Sequence, residues 1–149
     1  MYADIIALQK NLLARIEIYR STHKKDPSLT AVAQMLSTVL YMRRFFPFYA
    51  FNLLAGQRED GVFACYGYDA VGSWDEAPYG AQGTGCQLIT PVLDNIIKRN
   101  IERGVNLTMD EAVNLVKESM NGTANRDIYT GDKVEIMIMK ADGITIIEE

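Results

Sequence analysis

Few side chains in this sequence sit at spacings that do chemistry by themselves. His23 is the only histidine, and it lies in the lysine-rich run His23-Lys24-Lys25. No Ser-His-Asp or Cys-His site can be built around it without a distant partner. Cys65 and Cys86 with one histidine make no credible zinc set. Gly83-Thr84-Gly85 lacks the spacing and the lysine of a phosphate loop. The acidic pair Asp75-Glu76 reads as a solvated loop in preference to an acid–base couple. Two cysteines form no disulfide framework, so both are expected as free buried thiols in a reducing compartment.

The chain has 149 residues, 48% of them hydrophobic and 23% charged, with a net charge of -4. That length supports a substantial core. Its basic residues are scattered, the densest groups being Lys24-Lys25, Arg43-Arg44 and Lys98-Arg99. A nucleic-acid surface needs a clustered positive field, so no nucleic-acid partner is expected. No apolar run reaches the length of a membrane span, so no membrane partner is expected either.

The elements that would carry these residues follow from periodicity. Ile5, Leu8, Leu12, Ile16 and Tyr19 fall on one helical face. After the turn Asp26-Pro27-Ser28, the run Leu29, Val32, Ala33, Leu36, Val39 and Leu40 predicts a second helix that Pro47 ends. Tyr49 to Gly56 and Val62 to Tyr68 read as strands, and Asp69 to Gly83 as a short strand or turn. Thr84 with Gln87 and Thr108 with Glu111 predict capping boxes at the starts of two more helices, the first kinked by Pro91. Val134 to Lys140 and Ile144 to Ile147 form a hairpin about Asp142-Gly143. Helix pairs separated by antiparallel strands suggest sheets inside and helices outside, yet the strands are too few for two full sheets. The first helix also begins with no cap before it.

One stretch stands out: Arg43-Arg44-Phe45-Phe46-Pro47-Phe48-Tyr49. Its aromatics are expected to fill the space between helix and sheet. Packing is the main reading of the stretch; the alternative is that Tyr41, Arg43 and Arg44, which suit the negative end of the helix, face a neighbour.

Four runs resemble the proteasome beta subunits when taken in order. They are Met35-Leu36-Ser37-Thr38 through Arg43-Arg44-Phe45-Phe46-Pro47, Ala55 through Val71-Gly72-Ser73, Pro91-Val92-Leu93-Asp94-Asn95, and Arg126-Asp127-Ile128-Tyr129-Thr130-Gly131-Asp132. The pattern is most similar to the type-1 branch, the sixth position of the ring. The resemblance covers nearly the whole chain, and it implies an α+β fold. That fold is a partial N-terminal nucleophile hydrolase (αββα) sandwich with antiparallel sheets between helix layers, residues 1–149 forming one domain. It further implies the C-terminal two-thirds of the subunit, with the opening strands of both sheets missing ahead of Met1.

The function the resemblance implies is a non-catalytic structural subunit of the proteasome core particle. Its partners would be other beta and alpha subunits, and its place the cytoplasm and nucleus. It would serve ubiquitin-dependent and other intracellular protein degradation. Active members use an N-terminal threonine tuned by a lysine from an early strand, and this chain opens Met1-Tyr2. The competing expectation is a threonine-type N-terminal nucleophile peptidase whose catalytic segment is missing here. No catalytic residue is assigned. By resemblance Thr84, Asp127, Thr130 and Gly131 are the scaffold of a remnant site; the plainer alternative for Asp127 is a carboxylate that closes the turn after the helix, paired with Arg126 or a backbone amide. The family also implies a cation such as magnesium on the backbone carbonyls of Ala124, Asp127 and Thr130, with no cofactor required.

Overall fold

The computed structural model describes residues 1–148. The chain divides into two compact units, Met1–Pro78 and Tyr79–Glu149.

In the first unit, α1 (Tyr2–His23) and α2 (Leu29–Tyr41) precede an antiparallel sheet of β1 (Leu53–Gln57), β2 (Phe63–Tyr68) and β3 (Trp74–Ala77) in that spatial order. Lys24 ends α1 in the left-handed conformation, its N–H donating to Arg20 O at 2.8 Å. Ser28 opens α2, its Oγ accepting from the Ala31 N–H. Strand period puts Ala64, Tyr66 and Tyr68 on one face of β2, and all three are buried. They meet Ala33, Leu36, Val39 and Leu40 of α2, with Leu8 of α1 beneath. Trp74 completes this core edge-on to Tyr66, 4.9 Å between ring centres.

Tyr68 also donates its buried hydroxyl to Ala33 O at 2.8 Å. Burial pushes the Tyr68 phenol well above its ordinary range, so it stays a donor. The turn after it sits directly on α2. Asp69 Oδ1 accepts from the Val71 and Ser73 amides, and Ser37 Oγ donates to Gly72 O at 2.6 Å. Gly72 has φ +91, and a Cβ there would stand 2.4 Å from Ser37 O. Only glycine satisfies both the dihedral and the approach.

Two expectations fail in this unit. The α2 helix ends at Tyr41, not at Pro47: tight three-residue turns take over, with Arg43, Arg44 and Phe46 donating to Leu40, Tyr41 and Arg43 O. Proline disfavours helix at Phe46, and the unwinding begins a full turn earlier. The aromatics of the stretch consequently do not fill the core. Phe45 is 94% exposed and Phe46 83%, and only Phe48 packs against the core. On α1 the expected stripe is partial, since Leu8 is buried and Leu12 packs on the core while Ile5 is exposed.

The second unit holds α3 (Cys86–Leu93), a π-helical turn (Asp94–Lys98), α4 (Arg99–Glu102), α5 (Met109–Ala124), and a hairpin of β4 (Glu135–Lys140) and β5 (Gly143–Glu148). The capping box at α5 is present: Thr108 Oγ1 accepts from the Glu111 amide, and Glu111 Oε2 accepts from the Thr108 amide. Pro91 lies inside α3 without stopping it. Lacking a donor and crowding the turn before it, proline loosens the ladder, and the helix widens three residues later. Leu93 faces inward there, and Asp94 Oδ1 accepts the Tyr79 hydroxyl at 2.5 Å. The α3 and α5 helices pack together. In the hairpin Lys140 pairs with Gly143, so the turn is Ala141-Asp142, one residue earlier than expected.

The Gly72→Ala substitution is expected to destabilise the first unit by about 2 kcal/mol or more, from backbone strain plus overpacking. Denaturant titration followed by Trp74 fluorescence measures it, and a loss below 0.5 kcal/mol, roughly the effect of an ordinary surface change, would refute the close approach.

Candidate functional site

A convergent polar constellation lies within the second unit, where the start of α3 meets the loop after α5. Asp127 is its hub. Its Oδ2 accepts the Thr84 hydroxyl at 2.6 Å and the Thr130 hydroxyl at 2.7 Å, while Oδ1 accepts the Tyr129 amide at 3.2 Å. The loop is braced from behind, with the Asp127 amide on Thr123 O at 2.7 Å and the Thr130 amide on Asp127 O at 3.2 Å.

The local sequence explains how these residues meet. Gly85 is buried, and a Cβ there would lie 2.4 Å from Thr123 Cγ2, with Thr130 Oγ1 and Asp127 Oδ2 at 3.4 and 3.5 Å. The bare backbone lets the entry to α3 rest on the last turn of α5, and Thr84 is then within reach. Thr123 is itself buried, its hydroxyl donating to Ser119 O. Asp132 closes the loop in the left-handed region, φ 65, a conformation that aspartate tolerates.

This geometry corrects one reading. Thr84 makes no capping box with Gln87, because Gly85 is the N-cap of α3 and provides no side-chain bond. The Thr84 hydroxyl goes to a carboxylate instead, and a charge-assisted bond outcompetes a neutral cap. Of the two partners expected for Asp127, Arg126 or a backbone amide, the structure has the amide, that of Tyr129, and adds the two hydroxyls.

Hydrogen bonds from Thr84 first, then Thr130 and the Tyr129 amide, hold the Asp127 carboxyl below the usual carboxylate range. The two hydroxyls occupy Oδ2 and the amide takes one side of Oδ1, so three of the carboxylate's roughly four acceptor sites are engaged. The structure brings Thr84, Asp127 and Thr130 together, while Gly131 follows them exposed.

The other chemistry-bearing residues are distributed over the two units. His23 ends α1 in the first unit, its ring 4.3 Å from that of Tyr19. Cys65 lies in β2 and Cys86 opens α3, both free and half-buried; burial pushes the Cys65 thiol up, away from reactivity. Among the described residues no cluster of His, Cys, Asp or Glu could hold a metal, and no helix is long and apolar enough to cross a membrane. Ala124 is the last residue of α5 and lines an open cleft of about 360 Å³ with Asn121, Gly131 and Asp132. Asp127 O accepts one amide, so one of its lone pairs is uncommitted.

Comparison with known proteins converges on one group. The sequence profile described as proteasome subunit matches residues 1–139. The chain is 50% identical to proteasome subunit beta type-1 of Arabidopsis thaliana, over 95% of this chain and 67% of that one. It is 47% identical to proteasome subunit beta type-1 of Oryza sativa subsp. japonica (94% and 66%), and 41% identical to that of Drosophila melanogaster (97% and 64%). The chain thus spans about two thirds of the length of the curated relatives it matches.

Because its folded-state pKa is lowered, Asp127 contributes stability that is present above the ordinary carboxylate range and lost as pH falls through its own lower pKa. Carboxyl chemical shifts should place the Asp127 midpoint lower in the folded chain than in the same chain unfolded in denaturant, and Asp127→Asn should flatten the acid limb of the stability curve. Equal Asp127 midpoints in the folded and unfolded chain would contradict the network.

Proposed function

The chain belongs to the proteasome subunit family, and from that premise we propose that it acts as a non-catalytic, ring-building part of a beta-type subunit of the proteasome core particle. The observation that carries the non-catalytic reading is the state of the remnant site. A nucleophilic threonine needs a free amine and an unencumbered hydroxyl. Thr84 leads directly into α3 with its hydroxyl committed to Asp127, and Thr123 is buried inside α5. Cleavage at Gly83-Thr84 would cut the segment that seats α3 on α5, and cleavage at Gly122-Thr123 would break α5 itself. Both internal Gly-Thr junctions are therefore structural, and Asp127 holds two helices in place where an active subunit would orient a nucleophile.

The same reading assigns the elements to an αββα sandwich, the three-stranded and two-stranded sheets each extended by further strands of the full subunit. It gives the chain alpha and beta subunits as partners, intracellular protein degradation as its task, and cytoplasm and nucleus as its compartments. The α3 and α5 helices form an apolar groove of about 310 Å³, lined by Leu88, Val92 and Leu115 among others, suited to contact with the opposite ring. A cation fits the donor chemistry at the end of α5. The carbonyls of Ala124, Asp127 and Thr130 are hard oxygen ligands of the kind magnesium prefers, and water would complete its shell. Such an ion would supply charge that fixes the loop, with no part in a reaction.

The test is incorporation. Tagged chain expressed in its own cells should co-migrate with assembled core particles. A threonine-directed electrophilic probe should label other beta subunits there and leave this chain unlabelled. Exclusion from the particle, or labelling of this chain, would overturn the reading. In magnesium titrations followed by NMR, the amides of Asn125, Ile128 and Gly131, each bonded to a proposed ligand carbonyl, should shift first; invariance of all of them removes the cation.

A further inference from the structure

After α2 the chain carries its aromatic rings outward. Phe45 and Phe46 are almost wholly exposed, and Tyr41 and Met42 beside them are exposed as well. Contiguous apolar surface of this kind marks an interaction site on soluble proteins. Phe48 faces the other way, packed against the core, and Pro47 between them stiffens the link. The result is a projection anchored at its base.

Two arginines are interleaved with these rings. The Arg44 guanidinium lies 5.5 Å from the centre of Phe45 and 5.8 Å from that of Tyr41, and Arg43 lies 5.4 Å from Phe48. Stacking uses the face of a guanidinium and leaves its edge donors pointing away. Among the described residues neither arginine forms an ion pair, although Arg20 and Arg58 each pair with two carboxylates. On a chain of net charge -4, this is a positive, aromatic island whose polar half is unmatched.

The geometry points to residues 41–48 as a docking knob for a neighbouring protein subunit that presents an apolar pocket rimmed by aspartate or glutamate. This rests on the ring-subunit reading. The forked edges of Arg43 and Arg44 match paired carboxylate oxygens, and the phenyl rings supply the buried centre typical of interface hot spots. Two cations on an acidic chain are too few for a phosphate-rich surface, whose binding grows with the number of charges neutralised. A protein is the occupant they fit.

The experiment uses core particles purified from cells expressing the tagged full chain. With a benzophenone-bearing analogue in place of Phe45, illumination should crosslink the chain to one other subunit, at a peptide carrying aspartate or glutamate. The double variant Arg43→Glu/Arg44→Glu should enter particles about tenfold less than wild type, and Lys in place of the carboxylates at the crosslinked site should restore entry. Phe45→Ser/Phe46→Ser should also lose entry while its thermal melt is unchanged, because both side chains are solvent-exposed in the free chain. Normal entry of both double variants would overturn the knob and leave the ring-subunit reading standing. Crosslinks confined to the same chain or to a second copy would overturn it as well. So would pelleting with phosphatidylserine vesicles that Arg43→Glu/Arg44→Glu abolishes. Failure of the wild-type chain to enter any particle would overturn both readings.

Discussion

Each unit of this protein depends on a connecting segment lying flat on a helix, at a distance that no side chain permits. Gly72 brings the turn between β2 and β3 onto α2, and Gly85 brings the entry of α3 onto the end of α5. In both places a Cβ would stand 2.4 Å from its neighbour, Ser37 O in one and Thr123 Cγ2 in the other. Each close approach is fastened by hydrogen bonds: Ser37 to Gly72 O in the first unit, Thr84 to Asp127 in the second. Backbone contact of this kind fixes the helix more tightly than apolar burial alone, which tolerates sliding and repacking.

From these two fixtures the motifs acquire physical meaning. Ser37 is the donor the Val71-Gly72-Ser73 turn requires, while Leu36 beside it faces the core. Asp94 receives the Tyr79 hydroxyl as the helix widens after Pro91, and Leu93 is buried next to it. Asp127 collects Thr84, Thr130 and the Tyr129 amide. A carboxylate so occupied is a clamp.

Much of the fold was legible from local rules. Thr108 and Glu111 form the capping box of α5, the stretch Val62 to Tyr68 contains β2, and the terminal hairpin forms with its turn one residue early. Local rules failed where a distant group competed. Thr84 and Gln87 carry a capping-box pattern, but Asp127, 43 residues away in sequence, offers a charged acceptor that no window around Thr84 contains. The π-helical turn after Pro91 depends on how the ladder relaxes, which residue types alone do not specify. The Arg43 to Tyr49 stretch misled for another reason: its composition is that of a buried junction, whereas its exposure follows from where α2 unwinds. For the candidate site, motif resemblance named Thr84, Asp127 and Thr130, and geometry supplied their roles.

A density map of the core particle containing this chain addresses the central claim most directly. The predicted result is the chain at a beta-ring position, with the Asp127 carboxylate between the hydroxyls of Thr84 and Thr130 and no nucleophile within hydrogen-bonding distance of it. A map in which Asp127 has released Thr84 and instead orients an N-terminal threonine would contradict the non-catalytic account.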